Sequence, residues 1–324
     1  MTSTPETAKS GDLGPAGGPR SPDFGDDGRR RGRYKARDLG IALAFLAPSL
    51  VLFAVFVYYP LGRTAWLGLY ESDFFGGNRI WVGPSQYWDV LTDEATRSSL
   101  WLTILYALLT VPTGLALGVA LAVLADKPLR GIEAFRTVFS STIATSVAVA
   151  SVMFLVLFNP AIGILTNVLP FDVLQQPGVL NDPGTALISV SVATVWQNLG
   201  FTFIVVTAGL QSIPRDLYES AQLDGLGPFR QFREITLPLL SPTLFFGVVV
   251  LSLIAFQSFG QVDLLTQGGP IDRTNVLVYS IYDNAFGQAK NEGVASVQAI
   301  GLFVMMAVLS LAQFRLLDRR VHYG

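Results

Sequence analysis

The chain has 324 residues, of which 51% are hydrophobic and only 14% charged, and its mean hydropathy is +0.47. Soluble domains carry roughly 25% charged residues, so this composition is that of a membrane protein. Cysteine is absent, which excludes disulfides and thiolate metal sites, and a net charge of −2 leaves orientation to the distribution of the basic residues.

In chain order, residues 1–36 are rich in Gly, Pro, Ser and Asp with few large apolar side chains, and they read as a disordered basic tail. Its Arg29, Arg30, Arg31, Arg33, Lys35 and Arg37 abut an apolar run. They read as a topology determinant or an anionic-lipid contact rather than a nucleic-acid patch. A membrane region then covers 37–316, followed by a short tail, 317–324. A span needs about 20 mostly apolar residues. That criterion gives six: Leu39–Tyr59, Leu100–Leu124, Thr137–Phe158, Thr185–Leu210, Thr243–Val262 and Val294–Phe314. The first is too long for a signal-peptide core and no small-residue cleavage pattern follows it. The expected fold is therefore all-α, with six transmembrane helices.

Basic residues set the orientation. Besides the N-terminal run, Lys127, Arg130 and Arg136 follow span two, Arg215, Arg230 and Arg233 lie between spans four and five, and Arg319 and Arg320 end the chain. The other side holds Arg63, Arg79, Arg97, Arg273 and Lys290. The excess places both termini and the loop 212–241 in the cytoplasm. Pro48 and Pro112 are expected to kink their spans. Gly114, Gly118 and Ala122 form a small-residue ridge suited to close helix packing. No apolar core contains Asp, Glu, Lys or Arg, which disfavours an ion-coupled carrier or channel working alone. No phosphate-binding loop with its lysine is present either, so ATP would be bound by another protein.

The segment Glu219 to Pro238 is polar and punctuated. Pro214 sits where a helix starts and Gly225 where one stops, while Pro228 opens a second helix that Pro238 closes. Glu219-Ser220-Ala221, then Gly225, then Ile235-x-Leu237-Pro238 resembles the EAA loop of binding-protein-dependent ABC import permeases, with Ser220 in place of a second alanine. The stretch Phe259–Phe286 looks most like the A subunit of glycerol-3-phosphate or glycerophosphodiester importers, with sugar permeases close behind.

The resemblance implies a type I ABC importer permease fold in a bacterial plasma membrane. It implies a second homologous permease, two nucleotide-binding ATPase subunits and an extracytoplasmic solute-binding protein as partners. ATP and Mg would be held by the ATPase subunits, leaving this chain with no cofactor, no metal and no catalysis. Glu219 would anchor to an arginine of the ATPase, Ala221 and Gly225 would keep that contact close, and Asp224 would shape the helix end. A non-transporting scaffold that recruits an ATPase is a further alternative.

Uncharged polar and aromatic residues at mid-membrane depth are candidates for the substrate path: Trp196, Gln197 and Asn198, then Gln257 and Ser258, then Thr142, Thr145 and Ser146. Each could equally make hydrogen bonds between helices. A phosphorylated substrate wants a cation, and only Arg273, Arg63 and Lys290 lie near the path on the outer side. Gly268-Gly269-Pro270 reads as a tight outer turn, either a connector or a binding-protein contact. His322 stands alone in the tail.

Overall fold

The computed structural model describes residues 41–72, 79–127, 131–161, 178–288 and 290–317. The basic N-terminal tail, Arg130, Arg319, Arg320 and His322 lie outside the described residues. The chain divides into two units after Pro60. In the first, residues 41–60 are helical and every one of their side chains is exposed.

Helix α1, Ile41–Leu67, is longer than the apolar run that announces it, because it passes through Pro60. Proline lacks an N–H and its ring strikes the carbonyl four residues back. A wide π turn over Ala54–Tyr58 removes the conflict, with the Tyr59 N–H reaching Ala54 O just before the ring. A short antiparallel ladder follows, β1 (Tyr70–Ser72) with β2 (Arg79–Trp81), Tyr70 opposite Trp81. Then come α2 (Ser85–Thr92) and α3 (Glu94–Ala125), the latter capped by Asp93, whose carboxylate accepts from Ala95 N at 3.1 Å. Pro112 sits inside α3, and the helix stays continuous over its 32 residues.

The third expected span is not one rod. It is α4 (Ile132–Ala144) and α5 (Val147–Leu157), meeting at 108°. Thr145 and Ser146 are extended there, and Ser146 caps α5 by accepting from Val149 N at 3.3 Å. Helix α6, Ala186–Gln211, is straight enough to span alone. The loop region holds α7 (Arg215–Leu223) and α8 (Pro228–Leu239). Helix α9 (Ser241–Phe256) leaves α8 at 67° and stops six residues before the expected end at Val262, since the backbone breaks at Gln257 and restarts as α10, Gly260–Leu265. The turn at Gly269–Pro270, a cis peptide, leads to α11 (Leu277–Phe286) and α12 (Glu292–Leu317). Four helices are thus long and apolar enough to cross a membrane, and six spans result when each bent pair counts as one.

Among the described residues no Asp, Glu, Lys or Arg is buried. Lipid offers little hydrophobic drive between helices, so close backbone approach and interhelical hydrogen bonds hold them. The small-residue ridge does this in two directions. A Cβ on Gly118 would lie 2.7 Å from Thr202 Cβ of α6, and Ala122 is fully buried, whereas Gly114 looks toward Leu251 of α9. At the end of the bundle away from α7, Gln298 of α12 donates to Thr96 of α3 at 3.0 Å and accepts from Ser280 and Asn284 of α11. There Glu292 pairs with Arg79 at 2.8 Å and Lys290 at 3.2 Å, fastening the start of α12 to β2. A groove of about 1200 Å³ opens between α3, α9 and α12, bordered by Phe229, Phe232 and Leu237 of α8.

Gly118→Leu should therefore lower the thermal midpoint of the purified protein, at a cost of roughly 1–3 kcal/mol for forcing α3 from α6. Gly62→Ala, whose Cβ would meet nothing within 4 Å, should leave that midpoint unchanged.

Candidate functional site: a polar centre and a braced elbow

Both helix breaks face the middle of α6. The reason is chemical: where a helix ends inside an apolar medium, the freed backbone groups need partners. Gln197 supplies one of them, its side-chain N–H donating to the Thr145 carbonyl at 3.4 Å, and its oxygen accepts from the side-chain amide of Gln261 on α10. Gln261 in turn accepts from the Ser258 hydroxyl at 3.0 Å. The fully buried Tyr106 of α3 shares hydrogen bonds with Ser258 at 2.9 Å and Thr194 of α6 at 2.5 Å. One connected network thus joins α3, α6, α10 and the bend between α4 and α5.

Close backbone approach makes the network possible. The Gly200 N–H leaves its own helix to donate to the Thr142 hydroxyl at 2.7 Å. A Cβ on Gly200 would sit 2.5 Å from that oxygen and 2.7 Å from Ile143 N. Gly260, at the start of α10, likewise lets Val147 of α5 come in, since a Cβ there would lie 2.7 Å from it.

The sequence-derived path residues divide here. Trp196, Gln197 and Asn198 are half-buried at mid-height on α6, with Trp196 edge-on to Phe154 at 5.6 Å. Asn198 donates to the Thr194 carbonyl at 2.9 Å. Gln257 and Ser146 are exposed, while Thr145 is half-buried at the break. Thr142 and Ser258 are buried inside the bundle and bonded to protein, where they hold helices together. Tyr106 and Gln261 were not singled out from sequence. The signal for Gln261 was its place one helical turn after Ser258; Tyr106 gave none, being a lone hydroxyl in an apolar run.

At the other end of α6 the chain makes an elbow from α7 and α8. Gly225 takes the left-handed conformation, φ +75°, and both bonds of a Schellman stop are present: Leu226 N to Ala221 O at 2.9 Å and Gly225 N to Gln222 O at 3.0 Å. Asp224 is the residue just before that turn. The second helix does not close at Pro238 as the sequence suggests. A π turn over Phe232–Thr236, with Leu237 N bonded to Phe232 O, carries it past the ring to Leu239. Two uncharged ties brace α8 against α7 and the turn between them, neither foreseen from sequence: Tyr218 to Thr236 at 3.0 Å and Gln231 Nε2 to Leu226 O at 2.7 Å; within α8, Thr236 Oγ1 also donates to Gln231 O at 3.4 Å.

Glu219, Ser220, Asp224 and Gly225 are exposed, Leu237 is 40% exposed, and Ile235 and Pro238 are half-buried. Ala221, by contrast, is only 6% exposed, so its small size serves the packing of α7. The far end of the elbow is anchored by Leu240, fully buried beside Phe203, Val206 and Leu210 of α6.

Gln197→Leu should cost roughly 1–3 kcal/mol in thermal unfolding of the purified protein, because it strands the Thr145 carbonyl and the Gln261 amide. An unchanged midpoint would mean that water or a rearranged side chain satisfies both groups.

The sequence profile described as the binding-protein-dependent transport system inner membrane component matches residues 95–323. The sn-glycerol-3-phosphate transport system permease protein UgpA of Agrobacterium fabrum is 35% identical over 284 residues, 86% of this chain and 95% of that protein. Its namesake in Yersinia enterocolitica is 35% identical over 277 residues, 85% of this chain and 93% of that one. Among solved structures, a bacterial ABC transporter involved in the import of the acidic polysaccharide alginate matches with a TM-score of 0.74 at 23% identity, over 90% of this chain and 99% of that one. The fold is that of an ABC importer permease, and the chain belongs to the binding-protein-dependent transport system inner membrane component family.

Proposed function

We propose that this chain is one of two permease subunits of an ATP-driven importer, carrying glycerol-3-phosphate or its diesters across the bacterial plasma membrane. The observation that carries the substrate is the 35% identity, across nearly the whole length of both proteins, to permeases of sn-glycerol-3-phosphate transport systems. The elbow carries the mechanism. It is a rigid projection of two short helices with an exposed carboxylate, Glu219, and its root is packed on α6.

In this reading the elbow and both termini face the cytoplasm, in keeping with Arg215, Arg230 and Arg233 on that loop. An ATPase subunit grips the elbow through Glu219 and Ser220, each of the two permeases resting on one of two ATPase subunits. ATP and Mg belong to those subunits, and this chain contributes no catalysis. When the ATPase pair closes, the elbow moves as a body, because Tyr218, Gln231 and Thr236 lock its arms together. Motion passes to α6 through Leu240 and to α9 directly. The polar centre lies on the same α6, so the two helix breaks that meet there shift with it. A solute delivered by an extracytoplasmic binding protein then passes between the two permeases, beside Trp196, Asn198 and Gln257.

Two experiments test this on the complete importer with its binding protein in liposomes. Glycerol-3-phosphate or glycerophosphocholine should stimulate ATP hydrolysis while a disaccharide does not. Stimulation by the disaccharide alone would transfer the chain to sugar import, and uptake that follows an ion gradient without ATP would make it a secondary carrier. Glu219→Ala should cut transport about tenfold or more at unchanged membrane level, since a hydrogen bond to a charged group contributes roughly 1.5–3 kcal/mol. Full transport by that variant would remove the elbow from the coupling path.

A further inference from the structure

At the end of the bundle away from the elbow, four aromatic side chains form a continuous strip that the polar centre does not use. Phe259 lies 4.7 Å from Tyr282 and 6.1 Å from Tyr279, centroid to centroid, and Tyr282 lies 5.6 Å from Phe286. Tyr279, Tyr282 and Phe286 share a face of α11 because they are spaced three and four residues apart. The strip is fixed in place by Gly268, where a Cβ would strike the Tyr279 ring at 2.7 Å. Its outer rings are open: Tyr282 is 42% exposed and Phe286 75%. Its inner end, Phe259, adjoins Ser258 of the polar centre.

The setting of the strip is acidic. Burial first, and then the charges of Asp283, Asp263 and Asp272, raise the Tyr279 phenol above its ordinary pKa, which places all three carboxylates within electrostatic reach of the ring. Among the described residues no Lys or Arg nitrogen lies within 4 Å of any of them. Lys290, the nearest cation in sequence on this helix's C-terminal side, is committed to Glu292.

Aromatic faces carry negative potential and attract weakly hydrated cations, most of all quaternary ammonium groups. Neighbouring carboxylates strengthen that attraction and repel a phosphate dianion. Free glycerol-3-phosphate has nothing to offer such a surface. A zwitterionic diester does, because its net charge is zero and its two ends can be presented separately.

We propose that this strip is a binding subsite for the alkylammonium end of a zwitterionic phosphodiester, with the faces of Tyr282 and Phe286 receiving the cation and the Asp283 carboxylate on the same helix balancing its charge. The assignment rests on the import reading above and adds to it which end of the solute this chain contacts. It also accounts for the scarcity of cations around the path: the part of the solute that meets this chain is positive.

The test uses the complete importer in liposomes and two probes of the same shape, glycerophosphocholine and its 3,3-dimethylbutyl ester, in which carbon replaces the charged nitrogen. The choline ester should show a KM for uptake roughly tenfold below that of the uncharged ester, the size expected of a partly desolvated cation–π contact. Tyr282→Leu combined with Asp283→Asn should bring the ratio close to one. Equal KM values for the two esters in the unaltered protein, or a ratio that survives the double substitution, would overturn the subsite. Should the double variant fail to assemble, Tyr282→Leu alone should lower the ratio at least threefold, and a ratio unchanged in that single variant would overturn the subsite. Uptake of glycerol-3-phosphate without preference for the charged ester would sink the subsite and leave the import reading standing. Absence of uptake of any glycerophosphate would end both.

Discussion

A helix that breaks inside an apolar medium must hand its freed carbonyls and N–H groups to some other donor or acceptor, and in this chain one amide, Gln197, bonds the Thr145 carbonyl at one break and the Gln261 side chain at the other. The 108° bend after α4 and the break after α9 are stable because they face the same side chain. Gly200 and Gly260 bring the backbones close enough for the bonds to form. Tyr106 then ties the pair of breaks to α3. The shape of the polar centre thus follows from where the helices break and from the side chains that meet there.

Helix α6 links this centre to the elbow. The 15 residues from Gln197 to Gln211 give a rod of about 20 Å. At its far end Leu240 is locked against Phe203, Val206 and Leu210, so the elbow cannot move without α6 or without disturbing a buried cluster. The linkage is made of apolar packing and a few neutral hydrogen bonds, and among the described residues no Asp, Glu, Lys or Arg is buried in it.

Much of this was legible beforehand. Apolar length located the spans, and the Pro–Gly punctuation of 214–225 gave the first arm of the elbow almost to the residue, since proline starts and glycine stops are local properties of the chain. Four things were not legible, each for a physical reason. Hydropathy measures composition and is blind to direction, so Thr137–Phe158 read as one rod although Thr145 and Ser146 turn it sharply. Proline reads as a terminator, yet Pro60 and Pro238 are both passed by widening the preceding turn into a π turn, a solution that costs one irregular bond and leaves no mark in the sequence. Motif spacing identified Ala221 but not its direction, which depends on the packing of α7 and turned out to be inward. The bracing residues Tyr218, Gln231 and Thr236 escaped because their partners are set by tertiary approach.

The bonds that stiffen the elbow, Tyr218 with Thr236, Gln231 with the Leu226 carbonyl, and Leu226 with the Ala221 carbonyl, carry no formal charge. Ionic strength hardly touches them. An exposed carboxylate such as Glu219 is in the opposite position, because the screening length contracts from about 8 Å at physiological salt to about 3 Å at 1 M. Rising salt would therefore loosen the hand on the lever well before it softened the lever, and the two failures are separable in the same molecule.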